Sequence, residues 1–313
     1  MQAVLEIVLP VFGLVLAGWA LAQTSVLSRE GVRGLSNFVF YIAVPALLFR
    51  TMARGAVPAE IEWDIVLAYF AGCLLLFAAT IPLGRLVFGL RTDESAVLAM
   101  GASFSNMLLL GVPLVLATFG EQGLLPIMLI LAFHSTTLIS LATVVVEVSR
   151  GRRGGGTRVV WATLKALAQN PVVASMAVGL AWHAAGLGLP KPVDRFVQLL
   201  AGAAAPCALF ALGATLAGHR IAGALAESLT MVALKLVVHP LLVWLLATEV
   251  FDLQPMWAAV ATIGAALPVG ANVFVLAQKY EIYVQRSTSA TLISTAAAVV
   301  TVSILVALLG PAR

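Results

Sequence analysis

The sequence predicts an all-α polytopic membrane protein with ten transmembrane helices, arranged as two inverted five-helix repeats whose fourth and ninth helices are broken. Three observations predict it: the composition, a set of apolar runs divided by one polar linker, and a matched pair of interruptions inside two of those runs.

Of 313 residues, 61% are hydrophobic and 10% charged, with a mean hydropathy of +1.05. A soluble domain carries about 45–50% apolar and about 25% charged residues. The 18 Lys and Arg and 14 Asp and Glu fall between apolar blocks, as topology signals do, so the basic balance points to no nucleic acid. Cys73 and Cys207 lie inside apolar runs without metal-ligand spacing, and His134, His183, His219 and His239 show none either. No metal or cofactor is expected. The chain has no phosphate-binding glycine–lysine loop, which argues against an ATP-driven pump, and GASFS at 101–105 departs from G-x-S-x-G, which argues against a membrane hydrolase.

About 20 apolar residues cross the hydrocarbon. Spans are expected near 3–22, 34–52, 64–88, 94–118, 123–148, 168–188, 193–217, 223–247, 255–278 and 285–309. The first is read as a span rather than a signal peptide, because MQAVLE holds Glu6 and no basic residue, and Pro10 interrupts the run. The polar stretch SRGRRGGGTR at 149–158 reads as a flexible linker, giving a first repeat at 1–149, a cytoplasmic linker at 150–167 and a second repeat at 168–313. With the N-terminus outside, inner loops hold twelve Lys and Arg (Arg29, Arg33, Arg85, Arg91, Arg150, Arg152, Arg153, Arg158, Lys165, Arg220, Lys279, Arg286) and outer segments five, so both termini are placed on the non-cytoplasmic side of the cytoplasmic membrane.

The prolines reveal the repeat. Pro10 and Pro171 are 161 positions apart, Pro45 and Pro206 also 161, Pro82 and Pro240 158, and Pro113 and Pro268 155. An odd number of spans per half turns one half upside down, the usual build of secondary transporters with a site at the bilayer midplane.

The fourth span holds Asn106, Gly111 and Pro113 in SFSNMLLLGVPL, and the ninth holds Pro268, Gly270 and Asn272 in ALPVGANVFV. Unwound backbone at this depth must be buried in protein or line a cavity. A half-helix that restarts after such a break presents free N–H groups and the positive end of its dipole, which suits an anion. These six residues are the candidate substrate site, with the bland reading of two kinked helices packed through their Asn side chains kept beside it.

The motifs LSNFVFYIAVPALLF (35–49), SFSNMLLLGVPL (103–114), NPVVAS (170–175), PCALFALGATL (206–216) and ALPVGANVFVLAQKY (266–280) resemble the auxin efflux carrier family over nearly the whole chain. The resemblance implies that spans 4 and 9 cross, with Asn106, Pro113, Pro268 and Asn272 as the crossover residues. It also implies a scaffold of spans 1, 2, 6 and 7, a transport domain of spans 3–5 and 8–10, and dimerisation through the scaffold. Its members move organic carboxylates, auxin in plants and malate- or malonate-like dicarboxylates in bacteria.

Lys235 lies midway along the eighth span with His239 four residues on, and an ionisable group there is a functional candidate by default. Lys235, His239 and His134 are therefore candidates for proton coupling, against the alternatives of a lysine paired structurally and a histidine simply hydrogen-bonded in place. Ser287, Thr291, Ser294 and Thr295 share one face of the tenth span and read as small-residue packing. The expected function is an elevator-type secondary carrier of a small organic anion. The alternatives are a sodium- or proton-coupled symporter with a bile-acid-symporter-like fold, or a channel or sensor.

Overall fold

The computed structural model describes residues 2–24, 26–55, 61–151, 161, 165, 169–218 and 220–311. Most of the linker, His219, the side chain of Glu6, and Arg152, Arg153, Arg158 and Arg313 of the charge count lie outside the described residues.

The described chain is helical: α1 (Gln2–Ala22), α2 (Arg29–Ala53), α3 (Asp64–Phe88), α4 (Thr92–Ser103), α5 (Val112–Phe119), α6 (Leu124–Ser149), α7 (Pro171–Ala184), α8 (Lys191–Ala217), α9 (Leu225–Val250), α10 (Pro255–Ala265), α11 (Asn272–Tyr280) and α12 (Val284–Leu309). Six of its stretches are long and apolar enough to cross a membrane, and Ile7–Ala22, Pro171–Ala184 and Pro255–Ala265 are shorter apolar helices. One of the six, Met107–Ser149, runs through both α5 and α6 and is divided where Gly120 takes φ 67°, a left-handed turn that stops α5.

Local signals set many of the ends. The Ser28 side chain accepts the Gly31 N–H at 3.0 Å at the start of α2, the Asn170 side chain accepts the Val172 N–H at 3.0 Å at the start of α7, and α3 stops on left-handed Gly89. Three prolines sit just after a widened π-turn: Pro45 after Val39–Ala43, Pro113 after Met107–Gly111, and Pro240 after Leu234–Val238. Proline brings no N–H and its ring collides with the preceding turn, and an extra residue in that turn relieves both problems without ending the helix.

Two packing groups follow. In the first, α1 lies along α8 and α2 against α7 and α8. Backbones touch here: a side chain on Gly18 would strike the carbonyl of Phe210, and one on Gly213 the carbonyl of Val15. Where lipid rather than water surrounds the helices, such close contact replaces the hydrophobic effect as the source of association. In the second group, α4 and α10 are each enclosed by α3, α6, α9 and α12. Trp257–Ala265 of α10 and Ser95–Ser103 of α4 are buried on every side, as a helix at the centre of a bundle must be. Large apolar side chains such as Leu9, Leu16, Leu86, Leu199, Leu241 and Leu308 face outward, an exterior suited to hydrocarbon.

Polar clusters mark two ends of the bundle. Arg150 Nε is 3.1 Å from Asp93, Arg286 Nε is 2.9 Å from Glu227, and Tyr280 donates to Glu147 at 2.8 Å. Elsewhere, Arg50 of α2 binds Asp194 of α8.

Candidate functional site at two broken helices

The helix through α4 stops at Ser103, and the helix through α10 stops at Ala265. Pro268 accounts for the second stop, since it cannot donate and pushes Leu267 toward extended backbone. Past both stops, the chains meet as a short antiparallel pair in which Ser105 faces Val269.

Backbone polar groups in the middle of a membrane protein must be accounted for one by one. Asn106 N–H donates to the Pro268 carbonyl at 3.0 Å and Gly270 N–H to the Phe104 carbonyl at 3.1 Å. The outward-facing N–H groups find side chains on the following helices. Ser105 N–H donates to His134 Nε2 of α6 at 3.1 Å, and Val269 N–H donates to Ser294 Oγ of α12 at 3.0 Å. Ser105 Oγ also lies 3.1 Å from the Tyr69 hydroxyl. The two breaks are thus held in corresponding ways, each by the partner strand and by the next helix in its own half.

Beyond the crossing, the π-turn leading to α5 and the start of α11 face a shared cavity of about 400 Å³. Its wall includes Asn106, Met107, Leu108 and Leu109 on one side and Gly270, Ala271 and Asn272 on the other. Ser36, Asn37, Phe40 and Tyr41 of α2, His134 and Ser135 of α6, and Asn170 also belong to it. Among the described residues, no Asp, Glu, Lys or Arg lines the cavity. The first N–H groups of a helix have no partner inside it and carry the positive end of the helix dipole. Among the described residues, neither the Asn106 nor the Asn272 side-chain amide makes a hydrogen bond within the protein. Asn106 is buried and Asn272 exposed at the mouth. A neutral hollow with free amides and two positive dipole ends can hold an anion.

The sequence-derived candidates separate into four places. Asn106, Gly270, Asn272 and His134 line the cavity. Pro268 lies at the crossing and contributes its carbonyl to Asn106. Gly111 and Pro113 lie farther along the fourth span, outside the cavity wall, and a side chain on Gly111 would come within 2.7 Å of Leu267 Cδ1, so its smallness serves packing. Lys235 and His239 lie beneath the crossing. Lys235 Nζ donates to the carbonyl of Ala265 and lies 3.2 Å from His239 Nδ1, while His239 Nε2 is 3.3 Å from Cys73 Sγ.

Ser105, Tyr69, Asn37 and Tyr41 are not among the sequence-derived candidates. Asn37 and Asn170 stand inside the quoted motifs, and an amide near the middle or start of an apolar run is a signal that could have found them. Tyr69 carries no such signal, because only the fold brings α3 to the break, and Ser105, inside the motif at 103–114, gains its role only through Tyr69 and His134.

Comparison with known proteins agrees with this architecture. The family model "Membrane transport protein" matches the chain twice, over residues 3–155 and 156–306. A protein of Rhizobium meliloti named "Putative malonate transporter" is 30% identical over 303 residues, covering 97% of this chain and 95% of that one. "Uncharacterized transporter YfdV" of Escherichia coli is 26% identical over 301 residues, covering 94% and 93%. The "Lysosomal cholesterol signaling protein" of Mus musculus is 26% identical over 307 residues, 91% of this chain and 35% of that longer protein. Two successive matches to one family model, and two helices broken in corresponding ways at one cavity, lead to the same statement: the chain is a multi-pass membrane protein of the membrane transport protein family, the family of the auxin efflux carriers.

Proposed function

We propose that this protein is a secondary carrier that binds a small organic carboxylate in the cavity between the starts of α5 and α11 and exposes it alternately to the two sides of the cell membrane. The observation that carries this reading is the cavity itself. Its size falls in the range of small-ligand sites, about 300–1,000 Å³, and its wall offers amides and helix N-termini and, among the described residues, no carboxylate. Malonate is the first substrate to test, given the name of the relative at 30% identity.

In this reading the chain has ten spans in two inverted repeats. The pairing of α1, α2, α7 and α8 supports a fixed scaffold through which two copies could associate, and the group around α4 and α10 supports a body that moves as one with its ligand. Both chain ends lie outside the cytoplasm. Asn106 and Asn272 hold the carboxylate, Gly270 lets the backbone approach, and Pro268 and the bond it accepts keep the crossing open. Pro113 and Gly111 act indirectly by setting the course of α5. His134 stands in the cavity wall and is the natural place for a proton to be exchanged. A potential of about 100 mV, inside negative, gives each exported negative charge about 2.3 kcal/mol.

The test is counterflow in proteoliposomes. Vesicles preloaded with unlabelled malonate should accumulate labelled malonate transiently, with a saturable initial rate. Flux that rises without saturation and shows no counterflow would identify a channel instead.

A further inference from the structure

Lys235 is fully buried, and its ammonium sits on the carbonyl of Ala265, the last residue of α10. That carbonyl is the negative end of the helix dipole. His239 Nδ1 lies 3.2 Å from the same carbonyl, its Nε2 lies 3.3 Å from Cys73 Sγ, and Cys73 Sγ lies 3.8 Å from the Ser103 carbonyl at the end of α4. The ends of both first half-helices therefore meet one hydrogen-bonded group that contains a single amino-group cation. Among the described residues no carboxylate pairs with Lys235; the buried carboxylates Asp93 and Glu227 are taken by Arg150 and Arg286.

The crossing separates this ammonium from the cavity. Gly270 of the cavity wall follows Ala265 by five residues, so the two lie no more than about 17 Å apart. At that distance, and at the effective dielectric of about 20 that suits protein sites, one charge acts on another strongly enough to matter for binding. The side chain has no carboxylate partner of its own and cannot reach the ligand, so its field is what it offers the cavity.

We infer that Lys235 is a specificity-determining residue that selects ligands by charge from behind the crossing, favouring anions over neutral molecules and dianions over monoanions. The inference rests on the proposed carboxylate site and assigns its preference among carboxylates. Lys235 is a positioning and field-setting residue that does not touch the ligand.

The experiment compares binding of malonate, a dianion, and its monomethyl ester, a monoanion of nearly the same shape, to purified wild type, Lys235→Met and Lys235→Gln. Glutamine keeps a hydrogen bond to Ala265 within reach while removing the charge. Each negative charge should be worth about tenfold in affinity, or about 1.4 kcal/mol. Both variants should then lose about tenfold for the ester and about a hundredfold for malonate. Equal losses for the two ligands would mark a merely structural lysine and overturn the inference, as would no loss at all. Should both variants fail to fold, the wild type decides: malonate must bind at least tenfold more tightly than the ester, and equal affinities overturn the charge selection. Wild type that binds neither acid removes the carboxylate reading and this inference together. Wild type that binds both, with an ungraded loss in the variants, removes the inference alone.

Discussion

Arg50 of α2 holds Asp194 of α8 through Nε at 2.7 Å and reaches Glu121, on the turn between α5 and α6, at 3.8 Å. The first contact lies within one packing group, whereas the second crosses from that group to the one containing the broken helices. The two contacts should therefore answer mutation differently. Glu121 is half exposed, and an exposed ion pair contributes about 0–1 kcal/mol. Glu121→Gln should leave thermal stability within about 0.5 kcal/mol while changing the rate of malonate transport, because in the proposed cycle the link between the groups must yield when one moves. Arg50→Ala removes the hydrogen-bonded partner of Asp194 and leaves it Arg54 alone, at 3.8 Å, so a lowered melting temperature is expected. A Glu121→Gln protein with both wild-type stability and wild-type rate would show that this link plays no part in the cycle.

Ser294 should prove the most costly member of its stripe. Thr295 and Thr291 return hydrogen bonds to their own helix, at 2.7 Å to Thr291 and 2.9 Å to Ser287. Ser294 alone among them accepts the Val269 N–H from the unwound segment. Ser294→Ala leaves that buried donor without a partner, at about 1–3 kcal/mol, and should weaken malonate binding. Thr295→Ala should cost under about 1 kcal/mol and leave binding intact. The pair of melting curves, each with and without malonate, checks the difference.

Asn106→Ala and Asn272→Ala should do the reverse, with stability kept and function lost. Neither amide is bonded within the described protein, so removing it breaks no internal contact. Each should lower malonate affinity at least tenfold while the melting temperature of the ligand-free protein stays within a degree or two. Wild-type uptake by both would falsify the assignment of the cavity.

How much of this was legible in the sequence differs between the two breaks. The second could be read directly, because Pro268 ends α10 by its own chemistry and Gly270 and Asn272 follow at once. The first could not be placed from its proline. The chain turns at Phe104 to Asn106, seven or more positions before Pro113, in a segment without Gly or Pro. That break is imposed by tertiary partners, His134, Pro268 and Gly270, which no local pattern announces. Pro113 has a different consequence, the π-turn at Met107–Gly111. The serine and threonine stripe of α12 was legible as a packing face, whereas the particular duty of Ser294 depends on Val269, 25 positions away. The burial of Lys235 followed from its place in an apolar run, and its seat on Ala265 did not, since nothing in one helix tells where a neighbouring helix ends.

The contact between α1 and α8 supplies the last prediction. Gly18 and Gly213 leave no room for a Cβ, because the carbonyls of Phe210 and Val15 occupy the space. Backbone atoms cannot rotate away as a side-chain end can, so relief requires the two helices to part. Overpacking in ordinary cores costs about 1–3 kcal/mol, and Gly213→Val should reach at least the upper end of that range. Gly202 on the same long helix has open space around it, so Gly202→Ala is the control and should change stability by under about 1 kcal/mol. Since neither glycine lines the cavity, the Gly213→Val protein that does fold should bind malonate with near-normal affinity yet melt early. A Gly213→Val protein as stable as wild type would mean that α1 and α8 do not approach as closely as their backbones indicate.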